Sequence, residues 1–224
     1  MQTVKIDEEF YKILINYNSI NPSVIFKKGN VISTCSIDKT LWSAYKHGLN
    51  IEQEFAIIDL AKFLNTLNEV ANLQDHEVQL HEHNLVVKSD NVKVKINYGA
   101  PKLVIVNNDD PTKFPSIDVE FDLKKEDLIK ARKAASVLGV PEIAFLGDPP
   151  NIYLEVLNSA EPNSDNTKIE LEQKTDKQFL TIFRKDNLKV VDRDYQVKVC
   201  KRGMALFKSD DLVYVLPVER NSEF

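Results

Sequence analysis

LVVKSDNVKVKI, spanning Leu85–Ile96, lies over ALFKSDDLVYVL, spanning Ala205–Leu216, without a gap. Lys88-Ser89-Asp90 falls on Lys208-Ser209-Asp210, and apolar residues alternate in phase on either side. Period-2 alternation around a polar Ser-Asp pair reads as two strands joined by a tight turn. Finding that unit twice in one chain predicts a duplicated architecture.

Working outward, the matches keep their order. EFAIIDLAKFL (54–64) parallels QFLTIFRKDNL (178–188), each a strand running into a helix, and VKIDEEFYKIL (4–14) parallels FDLKKEDLIKA (121–131), each an apolar pair, acids, then a helix. The alternation predicts strands over most of the chain, interrupted by four short helices at Asp7–Tyr17, Asp59–Ala71, Lys124–Leu138 and Arg184–Asp194. The expected fold class is α+β, built from two similar half-domains, residues 1–100 and 117–224. Between them YGAPKLVIVNNDDPTKFPS carries Pro101, Pro111 and Pro115 and the turn-forming NNDDP, so 101–116 reads as a linker. LVIV within it is apolar enough to add an edge strand.

A chain of 224 residues, 43% hydrophobic and 28% charged, is long enough for one large core or two small ones and too apolar for disorder. Its longest apolar run, Leu212–Val218, falls far short of the ~20 residues that span a bilayer, so no membrane association is expected. MQTVKIDEEFYK places acids where a signal peptide has cations, which predicts a soluble protein that is not exported. Cys35 and Cys200 both lie in strand-like stretches and read as buried free thiols.

No catalytic constellation emerges. The six glycines fit neither GxGxxG nor a P-loop, so no phosphate-cradling loop and no cofactor is expected. His81 and His83 share a face in LHEHN with His76 nearby, a pattern open to metal binding, but HEHN aligns with KRGM and reads better as a polar hairpin tip. The pairs Asp109-Asp110 and Asp210-Asp211 are candidates for a Mg²⁺ nuclease, yet both fall in turns, where Asp serves the local backbone. The expectation is a binding protein with neither catalytic nor metal-ligating residues.

Charge is unevenly spread. The chain carries −5 overall, while Lys124–Leu138 holds five cations against two acids. Arg184–Asp194 is net +1, Asp7–Tyr17 net −2 and Asp59–Ala71 net −1. On the third helix Leu128, Ala131, Ala135 and Leu138 line up at helical spacing to face a sheet, which turns Lys130 and Lys133 outward with Lys125 and Arg132 on the flank. One reading is an ordinary solvated face. The other is a mildly positive surface suited to phosphate backbones without base readout.

With IDLAKFLNTLNEV (58–70), KFPSIDVEFDLKKEDLIKARKAASVLGVPEIAFLGD (113–148) and the tail YVLPVERNSEF, the chain resembles the sliding clamps, the DNA polymerase processivity factors, in particular those of T-even-type myoviruses. The resemblance runs in order over nearly the whole chain. It implies a DNA clamp fold in a head-to-tail homotrimer, with helices lining the hole of a ring around double-stranded DNA, encircled without sequence specificity, and sheets outside. It implies a non-enzymatic tether for the replicative DNA polymerase, loaded by an ATP-dependent clamp loader in the cytoplasm of an infected bacterial host and touching late transcription and repair factors. The DNA-facing residues would be Lys124, Lys125, Lys130, Lys133, Arg184, Lys185 and Lys189, with Lys12 and Lys62 alone in the first half. A partner-peptide groove would draw on Leu103, Val104, Ile105 and Val106 in the linker and Leu216, Pro217 and Val218 near the carboxyl end. Subunits would join through a strand near 91–97 and one near 168–173. Two other readings stand beside it: a non-enzymatic phage structural or assembly protein with duplicated α+β domains, and a metal-dependent nuclease using the acidic turns.

Overall fold

Asp7 starts the first helix: its carboxylate accepts the Phe10 N–H at 2.7 Å, and Glu8 and Glu9 lie in the positive first turn. The helix, α1 (Glu8–Ile20), ends where the Asn21 N–H reaches Tyr17 O. Phe10, Ile13, Leu14, Tyr17 and Ile20 form its buried stripe. In this computed structural model, residues 1–70, 75–90, 92–107, 113–161 and 163–224 are described. The chain divides into two units, Met1–Asn108 and Asp109–Phe224.

In the first unit, β1 (Gln2–Val4) precedes α1, and β2 (Val24–Phe26), β3 (Gly29–Cys35), β4 (Trp42–Ile51) and β5 (Phe55–Ile57) follow it. A short helix α2 (Leu60–Asn65) runs into one π turn at Thr66–Val70 and leads to β6 (Glu77–Leu80), β7 (Asn84–Ser89) and β8 (Val92–Asn97). The strands pair in the orders β1-β6-β7-β8 and β5-β2-β3-β4. The second unit holds β9 (Val119–Leu123), α3 (Lys125–Leu138), β10 (Glu142–Asp148), β11 (Asn151–Leu157), β12 (Thr167–Lys174), β13 (Phe179–Arg184), β14 (Tyr195–Cys200), β15 (Met204–Lys208) and β16 (Leu212–Pro217). Its orders are β9-β14-β15-β16 and β13-β10-β11-β12. Strand for strand, the second unit repeats the first. The Lys-Ser-Asp pair of motifs closes the β7–β8 and β15–β16 hairpins, as the alignment predicts.

Each core fills the space beneath the helices. In the first unit Phe10 sits 4.7 Å from the His47 ring and 6.1 Å from Phe26, which stacks on Phe55. In the second, Phe145 meets Phe121, Phe183 and Phe207. Offset and edge contacts of this kind add roughly 0.5–1.5 kcal/mol each to simple burial.

Two elements differ from the sequence reading. β4, at ten residues, lacks the apolar alternation that marks most strands of this chain. Its inward residues include Ser43, Tyr45 and His47, so polar side chains occupy the core face and conceal the alternation. The helix expected at Arg184–Asp194 does not form. Leu188 N–H closes one turn onto Arg184 O at 3.1 Å, after which the chain runs on as loop. Asp186-Asn187 and the β-branched Val190-Val191 are poor helix formers. Leu188 and Val190, two apart, are both buried, a spacing that suits extended chain rather than a helix.

His47 offers a check on the first core. Burial pushes its pKa below the ordinary histidine value, against smaller upward pulls from the Leu49 backbone and Asp7. A depressed histidine means that the unfolded chain binds a proton that the folded chain refuses, so stability falls as pH drops below about 6.5. His47→Phe is expected to shrink the drop in urea midpoint between pH 7 and pH 5. An equal drop in both proteins would show that His47 is not protected from protonation.

Candidate nucleic-acid interface

In α3 the buried stripe is Leu128, Ala131 and Ala135, with Leu138 half-buried, packed toward β10 and β11. Gly139 ends the helix in the left-handed conformation, at φ +68°, that glycine adopts without strain. Lys124 offers no side-chain cap. Instead the Asp194 carboxylate accepts the Lys125 N–H at 2.7 Å. This fixes Lys125, Lys130 and Lys133, all exposed, on the solvent side of the helix.

The cations are unequally engaged. Lys124 pairs with Glu172, and Lys130 reaches Asp127 at 2.9 Å. The Glu172 hydrogen bond raises the Lys124 pKa, and its reciprocal lowers that of Glu172. In the first unit Lys12 pairs with Glu8 at 2.6 Å, whereas Lys62, in α2, is exposed. Exposed pairs of this sort hold their partners weakly, by roughly 0–1 kcal/mol, and phosphates can compete for them.

Arg184 and Lys185 are exposed and Lys189 is half-buried, but they belong to the end of β13 and the loop after it rather than to a helix. Arg132, placed by helical spacing on a solvent flank, has a structural role. Its guanidinium donates to Leu188 O at 2.9 Å and Val190 O at 2.7 Å and also binds Asp192. These bonds satisfy carbonyls that a fourth helix would otherwise have paired within itself.

The residues proposed for a peptide groove divide by burial. Leu103, in a single 3₁₀ turn at Pro101–Leu103, is 64% exposed, and Ile105 and Val106 are half-buried. Val104 is buried against Ile25 and Ala56, so it anchors the segment and cannot greet a ligand. No strand forms at LVIV among the described residues, because Ile105 O is taken by Asn21 Nδ2 at 3.4 Å and Cys35 Sγ at 3.6 Å. Leu216 is wholly buried on the inner face of β16, which removes it from any surface, while Pro217 and Val218 are half-buried.

The carboxyl-terminal residues lie along β13. Leu180 and Glu223 exchange backbone hydrogen bonds, the Ile182 N–H donates to Ser222 Oγ at 2.9 Å, and the Glu219 N–H donates to Ile182 O at 2.9 Å. The outer edges of β8 and β12 pair with no other strand among the described residues. On β8, Lys93 and Lys95 are exposed while Val92 and Val94 are half-buried; on β12, Glu170 and Glu172 are exposed while Ile169 is half-buried.

His76 is buried, its Nε2 accepting the Ile6 N–H, and His81 and His83 sit at the β6–β7 turn. Among the described residues no group of three or more histidine, cysteine or acidic side chains is placed to hold a metal ion. Asp211 binds Arg193 and Asp210 lies in an exposed turn, while Asp109 and Asp110 lie outside the described residues. No described helix is long and apolar enough to cross a membrane.

Residues 120–220 match the family model described as gp45 sliding clamp, C terminal. Over its full length the chain is similar to two proteins named sliding clamp. That of Vibrio phage KVP40 is 28% identical over 96% of this chain and 99% of the relative, and that of Escherichia phage RB69 is 25% identical over 98% of each. Among solved structures, A. fulgidus PCNA bound to the C-terminal region of FEN-1 superposes with a TM-score of 0.75 at 14% identity, covering 100% of both chains. The duplicated α+β arrangement is therefore the DNA clamp fold.

Proposed function

From similarity over its full length to the sliding clamps of T4-like phages, we propose that this protein encircles duplex DNA and tethers the replicative polymerase during processive synthesis. The observation that carries this reading is the strand-for-strand duplication combined with similarity extending through both units. A sliding tether gains nothing from tight or base-specific contact. Topological linkage replaces affinity, and diffuse phosphate contacts of the kind α3 offers are sufficient. The protein acts without chemistry of its own, in the cytoplasm of the infected bacterium, after opening and closure by an ATP-dependent loader; late transcription factors belong to the same class of partner.

Ring closure would use the open edges of β8 and β12. Antiparallel pairing of β8 with β12 of a second copy sets Lys93 against Glu172 and Lys95 against Glu170 on one face. On the other, Val94 meets Leu171 and Ile96 meets Ile169. Head-to-tail repetition of that contact three times closes a homotrimer and covers edges otherwise open to aggregation.

Polymerase and loader tails with apolar anchors would find Leu103, Ile105 and Val106 in the first unit. Leu103→Asp is expected to weaken binding of a polymerase carboxyl-terminal peptide at least about fivefold, as for an anchor worth over 1 kcal/mol, with the melting temperature unchanged because Leu103 is exposed. Equal affinity would remove the site from this segment.

The function itself is tested by primer extension with the cognate polymerase and loader, with trap DNA added after initiation. Products of a single binding event should lengthen only when this chain and ATP are both present. Equal product lengths with and without the chain would overturn the reading and favour an assembly protein.

A further inference from the structure

We infer that residues 185–194 form a fixed second rail beside α3, and that Arg132 is the residue that positions it. The inference deepens the tethering reading above and rests on it for its link to DNA.

The rail is attached to the helix at three levels. Near the far end of α3, the Lys185 N–H donates to Pro141 O at 2.9 Å. At the middle, Arg132 spans Leu188 O, Val190 O and the Asp192 carboxylate. At the start, Asp194 accepts the Lys125 N–H. The segment thus runs antiparallel to the whole helix. Leu188 and Val190 are each 2% exposed beneath it, and Tyr195 Oη donates to Val191 O at 2.9 Å. The corresponding place in the first unit is taken by α2, which Tyr11 Oη of α1 contacts at Leu64 O. A planar guanidinium with five donors in a fixed fork can hold two carbonyls and a carboxylate together; an ammonium cannot hold them in that geometry.

The attachment also sorts the charge. Of the rail's acids, Asp192 is bound to Arg132 and Asp194 is turned onto the helix start, while Arg193 binds Asp211. Lys185, exposed, then stands alongside Lys125, Lys130 and Lys133 of α3. Without the Arg132 clip a ten-residue segment of three acids and three bases would carry no net charge and no fixed direction.

The test uses full-length Arg132→Met and Arg132→Lys, read by hydrogen exchange and by the salt concentration that halves processive product length. Amides in 185–194 should exchange at least about tenfold faster in Arg132→Met, and those of β10–β13 should be unchanged. The half-loss salt concentration should fall, and Arg132→Lys should recover only part of both effects. Wild-type exchange in 185–194 would overturn the positioning role. Faster exchange with an unchanged salt profile would overturn the role toward DNA. Should Arg132→Met fail to fold, Asp192→Asn removes one contact of the three and is read in the same direction. If Lys125, Lys130 and Lys133 reversed together also leave the salt profile unchanged, the DNA face is wrongly placed, and exchange alone still decides the rail.

Discussion

Reversing Lys93 and Lys95 to glutamate is expected to leave each protomer folded and to abolish the trimer. Both side chains are exposed on the outer strand of their sheet, so neither contributes to a core. In the proposed pairing they oppose Glu172 and Glu170. Cross-strand pairs contribute roughly 0.2–1 kcal/mol when attractive and cost a similar amount when like charges face each other. Two reversals therefore cost about 1–4 kcal/mol at each interface, a factor of about 5 to 1,000 in the dissociation constant. Three interfaces act together in a closed ring, which multiplies the effect. Sedimentation at micromolar concentration should show monomer with wild-type circular dichroism. Adding Glu170→Lys and Glu172→Lys to the same chain should restore the trimer, which a merely destabilised protomer would not do. A trimer that persists in the double reversal would place the subunit contact elsewhere.

Reversing Lys125, Lys130, Lys133 and Lys185 to glutamate is expected to reduce processive synthesis to the level of polymerase alone while leaving trimer mass and melting temperature intact. All four are exposed. The change replaces four positive charges by four negative ones on each of three protomers, enough to convert weak attraction to a phosphate cylinder into repulsion that grows as salt is lowered. Any one of them changed to alanine should do little, because diffuse contacts share the load and each is screened. Wild-type product lengths in the quadruple variant would show that α3 does not face DNA.

Much of this architecture is legible in the chain because duplication prints the same alternation twice, and Leu85–Ile96 over Ala205–Leu216 places two hairpins without any structural input. β4 escaped because Ser43, Tyr45 and His47 occupy inward positions that a hydrophobic pattern expects to be aliphatic. Leu216 was legible but misread: Leu212, Tyr214 and Leu216 share a buried face by strict alternation, which already excludes Leu216 from a surface groove. Arg132 could not be recognised from spacing. Its partners are carbonyls some 56 and 58 residues away, and backbone acceptors leave no mark on sequence. The same holds for Gln173, whose amide clips both backbone groups of Asp122 on β9, as Gln2 clips Asn50 and Glu52 in the first unit. Local pattern shows which face a residue occupies. Long-range polar contacts show what it does there.

The central claim is that three copies of this chain close around DNA, and the most direct measurement is mass determination combined with negative-stain imaging of the purified protein at high micromolar concentration. A closed three-fold ring of about 77 kDa, three times 25.6 kDa, is the predicted result. Monomer or dimer alone at that concentration, or a trimer without a central opening, would contradict it.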